Sequence, residues 1–236
     1  PETADDSRTH FGVFAPGVTR LLPAGQVINL HPFEHNEVPV LLAAALKQPA
    51  PVIALHLARP PLAVPDRAAL GLPSHTAAAR GAWLIRAPEA GRPVDGTLLV
   101  QGASTTTNLL AALPTLAGRH FNLRIVALSS WELFEAQDKS YREQTLPWAA
   151  WLDSMVITSG ALTTMGDWIS SRVAAEYSLS ADWDDRWRTG GTLDEVIDEA
   201  HLTTDWILAG IERFVGDKER RRERLAAASR GGEEGA

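Results

Sequence analysis

The chain has 236 residues, 45% of them hydrophobic and 22% charged, and a formal net charge of −7, a composition that suits one large globular domain or two smaller ones. A mildly acidic chain has no general attraction for nucleic acid or anionic membrane, which leaves a small molecule or a protein as its partner. The absence of cysteine excludes disulfides and thiolate metal sites and points to a reducing cytoplasm. No apolar run approaches the roughly 18 residues of a membrane span, and Pro1 to His10 is polar, without a signal-peptide pattern. A chain that begins with Pro1 and runs at once into patterned sequence reads as cut from something longer.

Taken in chain order, Val27-Ile28-Asn29-Leu30 predicts a short strand. Pro32 then suits the first turn of a helix carrying Val38, Leu41, Leu42, Ala45 and Leu46 at helical spacing. Pro51 to Leu57 is a nearly continuous apolar run, the pattern of a buried parallel strand. Strand, helix and strand in this order make a βαβ unit. A proline-rich loop from Arg59 to Pro73 follows, and Ala82 to Arg86 predicts one more strand of this first half. Ala87 to Gly96 has the composition of an interdomain linker.

The second half restarts with a strand over Thr97 to Val100, a turn at Gly102 to Ser104, a helix over Thr105 to Leu116 and a strand over Leu123 to Leu128. One or two helices fill Trp131 to Leu146, and Met155 to Thr158 predicts a third strand. Ala161 to Ala174, Thr192 to Ala200 and Thr204 to Phe214 read as helices. Asp217 to Arg230 reads as a charged, frayed helix, and Gly231 to Ala236 as disordered. The expected fold class is therefore α/β, in two units: residues 1–86, a linker 87–96, a second domain 97–216 and a tail 217–236.

Four motifs invite chemistry. His31-Pro32-Phe33-Glu34-His35 fits the H-x-x-E-H pattern of inverted zinc proteases, but Pro32 sets His31 ahead of the helix, so a helix start is the expected reading. Gly102 to Asn108, between strand and helix, has the position of a phosphate-binding turn without its glycine or lysine pattern; Ser104 or Thr105 as an N-cap accounts for it. Asp182 to Arg188 alternates acids with tryptophans but lacks the glycine and distant glutamate of a Ca²⁺ loop, so Trp183 and Trp187 are expected to pack. Lys218 to Arg224 is broken by acids and reads as a solvated helix end.

Four stretches carry a family resemblance. They are Asp6-Ser7 with Pro16-Gly17-Val18, the strand Ala54 to Arg59, the strand and turn Gly96 to Gly102, and the run Phe134 to Pro147. The last is the most specific. It resembles, almost position for position, the Phe-x-x-Gln-Asp-x-x-Tyr-Arg-Glu-x-x-Leu-Pro sequence of transketolases, enzymes that use thiamine diphosphate. The resemblance implies the C-terminal part of a pyrimidine-binding domain, with a partial parallel sheet, followed by a Rossmann-like transketolase C-terminal domain.

In the complete enzyme the resemblance implies thiamine diphosphate and Mg²⁺, a dimer, and transfer of a two-carbon ketol unit between sugar phosphates. This chain lacks the Gly-Asp-Gly sequence for Mg²⁺ and diphosphate, and the activating glutamate lies, in the family, before the stretch present here. The chain alone is therefore expected to be inactive, to hold neither cofactor nor metal and to offer no catalytic residue. By resemblance, Arg59 grips the substrate phosphate, and Asp6, Ser7 and His10 are candidate substrate contacts. The expected partners are a second copy or the missing N-terminal portion, and a sugar phosphate.

The chain departs from the family where Asp5-Asp6-Ser7 replaces His-Asp-Ser, and an Asp-Gly-Pro-Thr-His sequence is missing. Two other readings stay open. One is a related subunit, E1 β-like or deoxyxylulose-phosphate-synthase-like. The other is a non-catalytic assembly or regulatory module.

Overall fold

A computed structural model describes residues 12, 15–58, 61–186 and 191–231. After a short helix α1 (Ala15–Thr19), strands β1 (Val27–Leu30) and β2 (Val52–Leu55) pair in parallel, from Val27 opposite Val52 to Leu30 opposite Leu55. Helix α2 (Glu37–Ala45) is the crossover between them, so the expected βαβ unit is present. The helix begins later than Pro32 predicts: Asn36 is its N-cap, and Pro39 occupies the first turn, where a missing N–H costs nothing. β2 is apolar on both faces yet only partly buried, with Val52 43% exposed, because β1 is the only strand bonded to it among the described residues.

The second sheet has the order β3-β5-β4-β6. β4 (Gly96–Gln101) runs parallel to β5 (Leu123–Leu128) and to β6 (Ser154–Thr158), and α3 (Ala103–Gly118) is the crossover from β4 to β5. β3 (Ala82–Arg86) pairs antiparallel with β5. This strand, read from sequence as part of the first half, belongs by its hydrogen bonds to the second, and residues 87–95 connect two strands of one sheet. Every residue of β4 is buried, since both faces of a central parallel strand are covered. Leu98, Val100, Ile125 and Met155 meet Leu109, Leu113 and Phe214 on one face; Leu99, Val126 and Val156 meet Phe134, Met165 and Trp168 on the other.

Between β5 and β6 lie α4 (Trp131–Glu135), α5 (Lys139–Thr145) and α6 (Trp148–Leu152). The single helix expected over Ala161 to Ala174 is instead a 3₁₀ turn at Leu162–Met165, a loop that buries Trp168, and α7 (Arg172–Tyr177), started by the Ser171 cap on the Ala174 N–H. The chain continues with α8 (Leu193–Glu199), started by a Thr192–Glu195 capping box, and α9 (Thr204–Gly216).

The charged tail is a helix, α10 (Lys218–Gly231), and it is not a solvated end. Arg221 is fully buried. Its Nε donates to Asp153 Oδ1 at 2.8 Å and its Nη2 to the Asp95 carbonyl at 2.8 Å, while its guanidinium lies 3.5 Å from the Phe214 ring centroid. Lys218 Nζ donates to Asp95 Oδ1 at 2.7 Å. The strand start beneath must be glycine: Gly96 has φ +144, and a Cβ there would sit 2.3 Å from Phe214.

Removing one partner of a buried ion pair leaves the other charge uncompensated. Arg221→Met should therefore lower unfolding stability by about 3 kcal/mol, whereas Arg222→Met, at an exposed position of the same helix, should stay within about 0.5 kcal/mol. Urea denaturation of the two variants decides; equal, small losses would return α10 to a solvated tail.

Candidate functional site

In open parallel sheets, ligands gather outside the carboxyl ends of the strands, where loops diverge and backbone groups are free. Here those ends are Asn29-Leu30-His31 after β1 and Leu55-His56-Leu57-Ala58 after β2. Arg59 comes next in sequence but lies outside the described residues, as do Asp6, Ser7 and His10.

The polar side chains at this edge form one cluster that also ties the two sheets together. Glu132, on α4, accepts the Asn29 backbone N–H at 3.2 Å and the Asn29 Nδ2 at 3.0 Å, and Ser130 Oγ donates to it at 3.1 Å. Asn29 Oδ1 meets Thr19 Oγ1 and, at 3.1 Å, His56 Nε2. The His56 ring stacks on His31, with centroids 4.4 Å apart and planes 7° from parallel. The backbone holds the rings in place: His56 N–H donates to the Leu30 carbonyl and His31 N–H to the Ser129 carbonyl. Burial, and then the neighbouring His56, lower His31 to about 3. Burial also lowers His56, against the opposing pull of Glu132. Both imidazoles are thus neutral at pH 7.

Beside this cluster lies a cavity of about 410 Å³, walled by Phe33, Val38, Leu57, Pro61, Leu62 and Ala103, a volume in the range of small-molecule sites. The loop that closes it is pinned by Arg67. Its Nε donates to Glu34 Oε1 at 3.1 Å, its Nη2 to Glu37 Oε1 at 2.5 Å, and its guanidinium lies 4.9 Å from the Trp83 ring centroid. Burial pushes Glu37 up to about 7, against the Phe33 N–H and the Arg67 guanidinium, which favour the carboxylate.

The H-x-x-E-H residues are accordingly dispersed: His31 stacks on His56, Glu34 serves Arg67 and the Asn36 N–H, and His35 is exposed. Among the described residues no three His, Asp or Glu side chains come together as metal ligands. They do not fit a Mg²⁺-diphosphate site, and the Gly-Asp-Gly sequence for one is missing from the chain.

At the β4–α3 turn neither Ser104 nor Thr105 is the N-cap. Gly102 holds that position at φ +104, where a Cβ would meet Ser159 Oγ at 2.2 Å, and no side chain caps the helix. The Thr105, Thr106 and Thr107 hydroxyls donate backward to the carbonyls of Gln101, Gly102 and Ala103.

The motif Phe134 to Pro147 proves to be scaffold. Gln137 Nε2 donates to the Leu133 carbonyl, Asp138 caps α5 on the Tyr141 N–H, and Tyr141 OH donates to the Ala82 carbonyl at 2.7 Å. Phe134 is buried, and Arg142 pairs with Glu135. The first two bonds and the ion pair shape the α4–α5 segment, and the Tyr141 bond fastens it to β3. Of the Asp182 segment, Asp182 accepts the Leu162 N–H and Asp184 pairs with Arg186; Trp183 does pack, stacking on His201, whose other face meets Trp206. Trp187 and Arg188 lie outside the described residues.

Reading the sequence missed Asn29, His56 and Glu132. The available signal was a polar residue at or just past the end of each apolar strand, Asn29 and His56. Glu132 carried none, since its partner is 103 positions away.

Residues 81–184 match the family described as transketolase-like TK C-terminal domain. The transketolase of Geobacillus stearothermophilus is 24% identical over 224 residues, covering 90% of this chain and 30% of that protein. A transketolase from Leishmania mexicana superimposes with a TM-score of 0.72 at 15% identity, covering 91% of this chain and 29% of the other. A structure described as a split gene transketolase, inactive β4 tetramer, superimposes at 0.57 and 13% identity, covering 87% of this chain and 62% of that one. At these identities the structural likeness establishes the fold. The chain spans only a minor part of the curated relatives it matches, 30% of one and 10% of another. No helix among the described residues is long and apolar enough to cross a membrane.

The half-buried pair of imidazoles sets a pH dependence. His31 titrates near 3 when folded and, freed, near its ordinary 6.5, so the unfolded chain binds the extra proton between those values. Stability is then full above about pH 6.5 and falls as pH drops toward 3, by at most about 1.4 kcal/mol per unit from this group; the ring's partial exposure makes the slope smaller. Urea midpoints at pH 7 and pH 5 should differ less for His31→Gln than for the unaltered chain, and an identical drop in both would exclude this role for His31.

Proposed function

We propose that this chain, whose residues 81–184 match the transketolase-like C-terminal domain, completes an enzyme transferring a two-carbon ketol unit between sugar phosphates. The observation that carries the reading is the junction itself. The carboxyl edge of β1 and β2 is fastened to the C-terminal domain through Asn29 and Glu132, and Arg59 follows that edge in sequence. In this reading Arg59 grips the substrate phosphate, for which a guanidinium fork is suited. Asp6, Ser7 and His10 supply further substrate contacts. Thiamine diphosphate and Mg²⁺ belong to parts of the enzyme outside this chain, the chain by itself is inactive, and the enzyme works in the cytoplasm as a dimer. The proposed domain division puts the end of the pyrimidine-binding domain before about Gly81, given the pairing of β3 with β5.

A second reading is favoured by a specific pair of observations. Among the described residues β2 has an open edge, and the chain covers 62% of a split-gene transketolase chain against 29% and 30% of the Leishmania and Geobacillus transketolases. A natural split subunit, or an assembly module without catalysis, fits both. An open parallel edge with apolar residues on it invites a further strand from another chain. Size-exclusion chromatography should then show a dimer or larger species; a monomer would count against both versions.

The enzymatic reading is tested at Arg59. In the complete, assembled enzyme, Arg59→Ala should raise KM for phosphorylated sugars by about one to two decades, the worth of a charge-assisted contact of roughly 1.5–3 kcal/mol. Unphosphorylated sugars should be little affected. Equal losses on both substrate types would make Arg59 structural.

A further inference from the structure

The bonds around Asn29 determine where the protons sit, although no hydrogen is seen directly. A carboxylate only accepts, and Glu132 takes the Asn29 backbone N–H, the Asn29 amide and the Ser130 hydroxyl. The amide nitrogen of Asn29 must therefore face Glu132, since a flipped amide would set oxygen against oxygen. Its Oδ1 then faces Thr19 Oγ1 and His56 Nε2, the latter at 3.1 Å. An amide oxygen also only accepts, so His56 carries its proton on Nε2. A neutral imidazole has one ring proton, which leaves His56 Nδ1 as a bare acceptor. That nitrogen has no partner among the described residues, yet it is absent from the buried polar atoms that lack one. It therefore faces space that solvent reaches.

We propose that His56 Nδ1 accepts a hydrogen bond from a hydroxyl of a polyhydroxylated ligand at the carboxyl edge of β1 and β2, with Asn29 and Glu132 as the positioning residues that hold its tautomer. The inference rests on the sugar-phosphate reading of this edge and assigns a contact within it. The stacked His31 fixes the ring plane, and the titratable groups facing His56 are the neutral His31 and the Glu132 carboxylate. Burial keeps the ring neutral, which suits it to accept a hydrogen bond and makes it a poor proton acceptor. The role is binding and orientation, with no proton transferred.

Two measurements test this. Histidine nitrogen NMR on the full chain at pH 7 should show His56 protonated at Nε2 and bare at Nδ1; Asn29→Leu should release that preference, and Ser74→Ala, whose hydroxyl bonds Thr76, should not. A protonated Nδ1, a charged ring, or a tautomer indifferent to Asn29→Leu would overturn the assignment. In the complete enzyme, His56→Leu should raise KM about three- to tenfold, the worth of one neutral hydrogen bond, with kcat and the pH profile unchanged. His56→Gln, which keeps an acceptor, should recover part of the loss. An unchanged KM in His56→Leu would overturn the substrate contact. If Arg59→Ala spares the preference for phosphorylated substrates while the His56 variants behave as expected, the phosphate reading fails and the hydroxyl contact stands; the reverse result removes the hydroxyl contact alone.

Discussion

The carboxylate of Glu132 is the point on which the arrangement of this protein turns. It is carried by a short helix of the second sheet's domain and grips Asn29 of β1 by both backbone and side chain. Two parallel strands make a marginal sheet on their own. Bonded at one end to a fully covered four-stranded sheet, they acquire a fixed orientation. The same carboxylate sets the Asn29 amide, the amide sets His56, and His56 stacks on His31. One charge at the junction thus determines both how the two units meet and which hydrogen-bonding faces the edge presents.

The residues most recognisable in the sequence do different work. Gln137, Asp138 and Tyr141 are spent on a helix cap and on bonds to backbone carbonyls, one of them at the start of β3. Their spacing reflects the geometry of two short helices lying against a strand. A motif can be specific to a family and still be structural, because a side chain that must reach one carbonyl at 2.7 Å is as tightly constrained as one that must reach a substrate.

The tail makes the same point about charge. All seven residues Lys218 to Arg224 are charged, which suggests a solvated helix, and exposed Arg222 agrees with that. Arg221, one position away, is fully buried between Asp153, the Asp95 carbonyl and the Phe214 ring. A guanidinium can be buried where its donors meet fixed acceptors and its flat face meets an aromatic ring, and those acceptors stand just before β4 and β6, at the shared amino-terminal end of two parallel strands.

The sequence by itself determined the α/β class, the strand–helix–strand order in both halves and the strands β1, β4, β5 and β6, because each rests on local pattern: an apolar run, a turn residue, a helical period. It also determined the family resemblance of the second domain, through residues whose spacing is local. Only the tertiary structure decided that β3 belongs to the second sheet, since pairing with β5 is a choice among distant partners that Ala82 to Arg86 does not encode. It decided too that Gly102 rather than a hydroxyl residue starts α3, because Ser159 fills the space a Cβ would need. The Asn29–Glu132–His56 cluster was beyond the sequence for the same reason: its members lie on three separate elements, and a hydrogen bond between residues so far apart leaves no periodicity to read.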